Sequence, residues 1–301
     1  PGVNSSTLMA DQFLKKTDFV LGMGTSFTIS SFNAPMPSGV TLAQSTNCPE
    51  DINKDYRVDF GAVGDAKIVL RQMIEEAKRQ LGEHGRGDVK GVRDEIAANK
   101  QDFMKEWSPR LNSDEVPISP YRVFTELMKA VNLRDTITTY DPGYPREQIV
   151  PFWPALNPRS YIGWGKTTHL GYGIPLMIGA KLANPDKFCL NFMGDGAFGM
   201  SGLDIETSVR EGAPITTVVL NNGGMATYPG GYPVANELYG TTRMTGDYAK
   251  LAEGMGAVGI TVTQPGEIAD ALKRAQQLNA EGPTALLDIH THLEPRQSKF
   301  A

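Results

Sequence analysis

Residues 188–224 read FCLNFMGDGAFGMSGLDIETSVREGAPITTVVLNNGG. The apolar run Phe188–Met193 stops at Gly194-Asp195-Gly196, a second run, Ile215–Leu220, stops at Asn221-Asn222-Gly223-Gly224, and 24 residues separate Gly196 from Asn221. Short apolar runs at this interval predict two buried strands joined by one crossover helix. Such a connection makes the strands parallel and can set their C-terminal tips side by side, where ligands of open α/β sheets collect. An Asp carboxylate, an Asn side-chain carbonyl and a main-chain carbonyl from the Gly-rich turn are hard oxygen donors, suited to Mg²⁺ or Ca²⁺. The glycines let the backbone approach a diphosphate, and Gly196-Ala197-Phe198 opens a helix whose first N–H groups attract anions.

Outward from this pair, the alternation continues. Further strands are predicted at Thr136–Tyr140, Gly259–Thr263 and Thr284–Ile289, with helices beginning at Pro120 and near Leu170, Gly202, Asp247 and Gly266. Five strands alternating with helices predict an α/β, doubly wound parallel sheet over residues 117–301. Ahead of it, a helix over Met9–Lys16, strands at Phe19–Gly22 and Val40–Ala43, and a helix over Asp65–Gln80 make half of a second α/β domain in residues 1–81. The latter helix carries Ile68, Leu70, Met73 and Ile74 on its apolar face. Residues 82–116 are dense in charge and glycine and read as a linker with a solvated helical stretch at Val92–Lys105.

Composition removes several function classes. With 29 Lys and Arg against 34 Asp and Glu the net charge is −5, which offers a nucleic-acid backbone no attractive field. No window reaches the roughly 20 apolar residues of a membrane span, and the N-terminus lacks the charged and apolar regions of a signal peptide. Cys48 and Cys189 are the two cysteines, too few for a disulfide framework, and they point to the reducing cytoplasm.

Gly-Asp-Gly followed about two dozen residues later by Asn-Asn resembles the signature of the thiamine-diphosphate enzymes. The flanks Gly171-Tyr172-Gly173-Ile174-Pro175, Gly179-Ala180-Lys181-Leu182-Ala183-Asn184-Pro185 and Glu211-Gly212-Ala213-Pro214 are similar to the acetolactate (acetohydroxyacid) synthase-like group. Val58–Leu70, with Val63-Gly64-Asp65-Ala66, looks like the end of that group's Rossmann-like middle domain. The resemblance implies thiamine diphosphate and Mg²⁺ as cofactors, with Asp195, Asn222 and Gly224 as metal ligands. It implies further cofactor contacts from Asp141, Gly143, Thr168, Leu170, Gly194, Gly196, Ala197 and Met225, and Lys166 either adds a charge near the diphosphate or is a turn residue. Leu170 matches the large apolar residue beneath the cofactor's bend. Thr168 matches a position whose carbonyl accepts from the 4′-amino group, although relatives commonly have Gly there. His169, between them, either shuttles a proton near neutrality or is a structural hydrogen-bonding His; with Leu170 and Thr168 it makes up the expected catalytic set.

Other positions carry two readings. Arg146 either pairs with a substrate carboxylate or, more commonly for such a residue, is a solvated loop Arg. Tyr144 and Pro145 stand where relatives place polar residues. His290 and His292 share one face of a strand end, but without a third ligand nearby they read as non-metal residues. Thr46 and Cys48 stand where relatives that bind FAD or ADP have Asp, so no flavin is expected.

The implied activity is cleavage or formation of a C–C bond in a 2-oxo acid or 2-hydroxyacyl compound, as a lyase, decarboxylase or carboligase. The family's pyrimidine-binding domain, with its activating Glu, has no counterpart here. The resemblance therefore implies either a separate N-terminal chain supplying it or a missing half that was cut away or encoded separately, in both cases in an oligomer with the site at an interface. Alternatives are a 2-hydroxyacyl-CoA lyase or oxalyl-CoA decarboxylase, which the Asn-Asn-Gly-Gly start of the following loop resembles, a flavin-assisted 2-oxo-acid oxidase, and a non-catalytic regulatory subunit.

Overall fold

Continuous burial along the central strands, at residues 189–193, 216–220 and 285–289, builds the fold of the larger unit. The structure is a computed structural model that describes residues 7–29, 34–87, 89–163, 169–225 and 232–298. The chain divides into two compact units, one reaching Glu106 and one running Trp107–Ser298.

In the first unit, α1 (Leu8–Leu14) precedes the strands β1 (Phe19–Met23), β2 (Thr41–Thr46) and β3 (Phe60–Val63), followed by α2 (Ala66–Leu81). The three strands form one parallel sheet in the order β1-β2-β3. Phe60–Val63 was not expected as a strand, since four residues with an internal Gly give no usable period. Asp65 caps α2 by accepting from the N–H groups of Lys67 and Ile68. The apolar face expected on this helix is present, yet Ile68, Leu70, Met73 and Ile74 are all exposed. Phe60 and Val63 of the short edge strand β3 are exposed as well.

The stretch expected as a linker is largely one helix, α3 (Lys90–Leu111), and the division between the units falls inside it. Trp107 sets that boundary. Its ring packs 4.8 Å from Tyr121 and 5.6 Å from Phe152, so the helix's last turn belongs to the second unit's core.

The second unit continues with α4 (Pro120–Ala130), β4 (Thr136–Tyr140), α5 (Tyr144–Ile149), α6 (Gly173–Ala183), β5 (Phe188–Gly194), α7 (Asp195–Ser201), α8 (Asp204–Arg210), β6 (Thr216–Asn221), α9 (Pro233–Tyr239), α10 (Tyr248–Gly254), β7 (Val258–Val262), α11 (Ile268–Glu281) and β8 (Ala285–His290). The five strands form one wholly parallel sheet in the order β4-β5-β6-β8-β7. Helices cover both faces, as a parallel sheet requires. Cys189 and Met193 of β5 join a core with Ile174 and Met177 of α6, Phe198 of α7 and Ile205 of α8. The intervening Phe192 meets Phe124 of α4 at 5.4 Å and Trp153 at 5.4 Å. Period-2 alternation along one strand thus serves two cores.

Candidate active site

In the register of β5 and β6, Gly194 pairs with Leu220, so Asp195 and the Asn221-Asn222 pair leave the sheet as neighbours. Asp195 opens α7 and is 1% exposed. Its Oδ1 accepts from the Gly196 N–H at 2.8 Å, and its Oδ2 accepts from the Gly224 N–H at 3.1 Å. The side-chain carbonyl of Asn222 accepts from that same Gly224 N–H, also at 3.1 Å. Gly223, at φ +70°, makes the left-handed turn this arrangement needs. The turn is braced from outside, where Met225 N–H donates to the Thr242 carbonyl at 2.8 Å and Met244 N–H to the Gly223 carbonyl at 3.0 Å. Burial pushes the Asp195 pKa up, and the N–H groups of Gly196, Gly224 and Gly223 pull it back. A buried carboxylate whose partners are all neutral is a site that a cation relieves.

Around these groups lies a small cleft that opens to solvent. Gly194, Asp195, Gly196 and Ala197 form one wall and Asn222, Gly224 and Met225 another, while Leu170 and the segment Pro142–Pro145 close the third side. Leu170 is half-buried against the core that holds Ile174 and Phe198. The turn bearing it is pinned from below by Asp141 at the end of β4, whose fully buried carboxylate accepts from Gly171 N–H at 2.8 Å and Gly173 N–H at 3.1 Å. Burial pushes the Asp141 carboxyl up to about 6, against the pull of those two N–H groups and of His169. Gly173 is required there, because a Cβ would fall 2.3 Å from Asn191 Oδ1.

Residues 141–289 match the family model of the thiamine pyrophosphate enzyme, C-terminal TPP binding domain. The chain belongs to the thiamine-diphosphate-dependent, acetolactate synthase-like superfamily. A probable acetolactate synthase large subunit of Methanococcus aeolicus is 27% identical over 295 residues, covering 93% of this chain and 48% of the relative. The acetolactate synthase large subunit of Corynebacterium glutamicum is 27% identical over 292 residues, 93% of this chain and 45% of the relative. A probable sulfoacetaldehyde acetyltransferase of Rhizobium meliloti is 27% identical over 318 residues, 96% of this chain and 52% of the relative. The chain spans about half the length of the curated relatives it matches.

As a member of the thiamine-diphosphate superfamily, the chain offers a donor set that fits a hard divalent cation. Among the described residues no group of three or more His, Cys, Asp and Glu side chains gathers to hold a metal. A cation in this cleft would instead rest on one carboxylate, neutral carbonyl oxygens and the oxygens of its ligand, the pattern of Mg²⁺ and not of zinc. The side chains of Asp195 and Asn222 converge on one point and supply that start.

The remaining sequence candidates fall in different places. Gly143, Leu170, Gly194, Asp195, Gly196, Ala197, Asn222, Gly224 and Met225 all line the one cleft. Asp141 lies beneath it, facing the main chain of the Leu170 turn. His169 is exposed beside that turn. Lys166 and Thr168 lie outside the described residues.

Arg146 departs from its expectation as a solvated loop residue. It sits in α5, 6% exposed and ion-paired with Glu147, and burial lowers its pKa. The helix was missed because Asp141-Pro142-Gly143-Tyr144-Pro145 reads as a turn. Proline is tolerated within the first helical turn, where its missing N–H costs nothing, and Gly143 at φ +95° makes the entry. Tyr144 and Pro145 therefore form a wall of the cleft. The side chain of His290 is 48% exposed, and its Nε2 lies 4.0 Å from Asp288 Oδ1. His292 is partly buried, and its N–H donates to the Ile118 carbonyl.

Proposed function

We propose that this chain is the diphosphate- and Mg²⁺-binding part of an enzyme that makes or breaks a C–C bond next to a carbonyl, in a 2-oxo acid or a related acyl compound. The observation that carries the reading is the meeting of Asp195 Oδ2 and Asn222 Oδ1 on the Gly224 N–H, beside Leu170. Asp195, Asn222 and Gly224 are the residues that would hold the metal, and the glycines at 194 and 196 leave room for the diphosphate. Thiamine diphosphate, when bound, supplies a nucleophilic carbon and an electron sink, and the protein supplies binding, orientation and a dry pocket.

The chain's own residues do the rest. Leu170 presents an apolar surface to the ring portion of the cofactor, held in place from below by Asp141 through Gly171 and Gly173. His169, exposed beside Leu170, is the group able to give or take a proton at the substrate. The reading includes a partner chain or segment that supplies a pyrimidine-binding domain, since the relatives are about twice as long. The exposed apolar side chains of the first unit, Phe60 and Ile68 among them, agree with a further covering layer. No helix among the described residues is long and apolar enough to cross a membrane. Two unpaired cysteines accord with the cytoplasm as the working compartment.

The test is binding. Titration of thiamine diphosphate with Mg²⁺ into the protein should give saturable, metal-dependent heat, and Asp195→Ala should abolish it. Unchanged metal-dependent binding in Asp195→Ala sinks the proposed ligand role.

A further inference from the structure

One buried carboxylate near the cleft has no part in the reading so far. Asp288 lies in β8, between β6 and β7, and is 1% exposed within the apolar run Leu286-Leu287-Asp288-Ile289. Burying a carboxylate in such a run is costly unless its oxygens are satisfied. Its Oδ1 accepts from the Asn221 side-chain amide at 3.0 Å, and its Oδ2 accepts from the Tyr248 N–H at 3.0 Å. The first bond fixes the last residue of β6, immediately before Asn222. Asn221 is further held by its carbonyl, which accepts from Thr291 N–H at 2.9 Å. The second bond fixes the start of α10, where the Tyr248 ring packs edge-on against Phe198 of α7 at 5.2 Å and 68°. Asp288 thus grips both structures that carry the metal-facing groups: the strand tip before Asn222, and, through Tyr248 and Phe198, the helix that begins at Asp195.

We propose that Asp288 is a positioning residue of this site, fixing Asn221 so that Asn222 alone turns its carbonyl oxygen toward Asp195. The inference rests on the metal-site reading above. Under it the two asparagines divide the work, with Asn221 as anchor and Asn222 as ligand. Only Asn222 lines the cleft. Outer contacts of this kind tune a site by restricting the orientation of the ligands themselves.

The experiment measures Mn²⁺ affinity by electron paramagnetic resonance, with inorganic pyrophosphate and separately with thiamine diphosphate as co-ligand, and checks folding of each variant by circular dichroism. Asp288→Ala should weaken Mn²⁺ by about 10- to 100-fold, the range typical of lost outer-shell partners. Asp288→Asn should stay within about threefold of the parent, because the introduced amide still accepts from Tyr248 N–H and can donate to Asn221 once that side chain turns over. Asn221→Asp sets two carboxylates against each other and should weaken binding as Asp288→Ala does. Combining Asn221→Asp with Asp288→Asn restores an amide–carboxylate pair in reversed order and should recover the parent affinity.

Folded Asp288→Ala and Asn221→Asp proteins with parental affinity overturn the proposal, as does a folded double variant that fails to recover. If Asp288→Ala does not fold, Asn221→Asp and its rescue decide alone. Asp195→Ala run in parallel separates the two readings. Parental Mn²⁺ affinity there removes the metal site itself, whereas its loss with Asp288→Ala and Asn221→Asp unaffected removes only the role of Asp288.

Discussion

The side-chain oxygens of Asp195 and Asn222, delivered by two neighbouring parallel strands, both accept from a single N–H, that of Gly224, each at 3.1 Å. One main-chain donor shared by a carboxylate and an amide is a weak substitute for a cation. Among the described residues no cationic side chain pairs with Asp195, which supports the proposed cation site.

Replacing that carboxylate should therefore separate stability from binding. Burial raises the Asp195 pKa above its unfolded value, so ionisation at neutral pH penalises the folded state, and the penalty disappears below the unfolded pKa. Asp195→Asn should melt higher than the parent in metal-free buffer at pH 7, with the advantage lost near pH 4. Added Mg²⁺ with thiamine diphosphate should raise the melting temperature of the parent and leave the variant unmoved. A variant that melts lower than the parent at pH 7 without metal contradicts the assigned cost.

Asp141 offers a pH signature of its own. With its carboxyl pushed from 3.8 up to about 6, the folded state holds a proton that the unfolded chain has released, and stability falls as pH rises through that window. The loss amounts to about 3 kcal/mol if the whole shift is expressed. Asp141→Asn gives up one acceptor and starts about 1–2 kcal/mol lower. Its stability should be flatter across pH 4 to 7 in urea unfolding, and parallel slopes for the two proteins would rule the assignment out.

Leu170 should matter for the ring of the cofactor and not for its phosphates. Truncation by Leu170→Ala removes apolar contact of about 1–2 kcal/mol, close to tenfold in affinity. Calorimetry should show thiamine diphosphate weakened by that factor while inorganic pyrophosphate with Mg²⁺ binds as before. Equal weakening of both ligands would mean that Leu170 supports the turn and not the ring.

Gly173 tests the close packing beneath the same turn. An added methyl meets Asn191 Oδ1 at 2.3 Å, inside a core where Asn191 is fully buried. Gly173→Ala should cost about 1–3 kcal/mol through overpacking, and shift the N–H groups that Asp141 holds. Thermal denaturation checks the first effect. A further rise of the Asp141 carboxyl, carrying its pH dependence to higher pH, checks the second, because those N–H groups are what hold it down.

Much of this was legible in the sequence, for reasons that differ by element. Four strands of the larger sheet, β4, β5, β6 and β8, announce themselves because they are buried along nearly their whole length, and Gly194 and Asn221 mark the tips that the register then sets together. The short helix α5 was not legible, since Pro142, Gly143 and Pro145 are turn formers whose helical use depends on a neighbouring wall. Arg146 was misjudged with it, because a charged residue in an apparent loop gives no sign of burial. Ile68, Leu70, Met73 and Ile74 show the opposite failure: periodicity reports which face a helix offers, not whether anything covers it. Asp288 escaped notice because a polar residue inside an apolar strand gains meaning only from what lies opposite, here Asn221 one strand away.

The strand order β4-β5-β6-β8-β7 bears on how the protein is made. The last strand of the sheet to be synthesised is inserted between two made earlier, so β7 has no strand to pair with until β8 leaves the ribosome. Until then β6 presents an open edge and Asn221 lacks both Asp288 and Thr291. A nascent chain halted after β7 carries Asp195 and Asn222 in its sequence but has neither the wall that orients them nor a closed sheet. Its unpaired strand edge marks such a product for aggregation or for chaperones. Completion of the cleft therefore waits on β8.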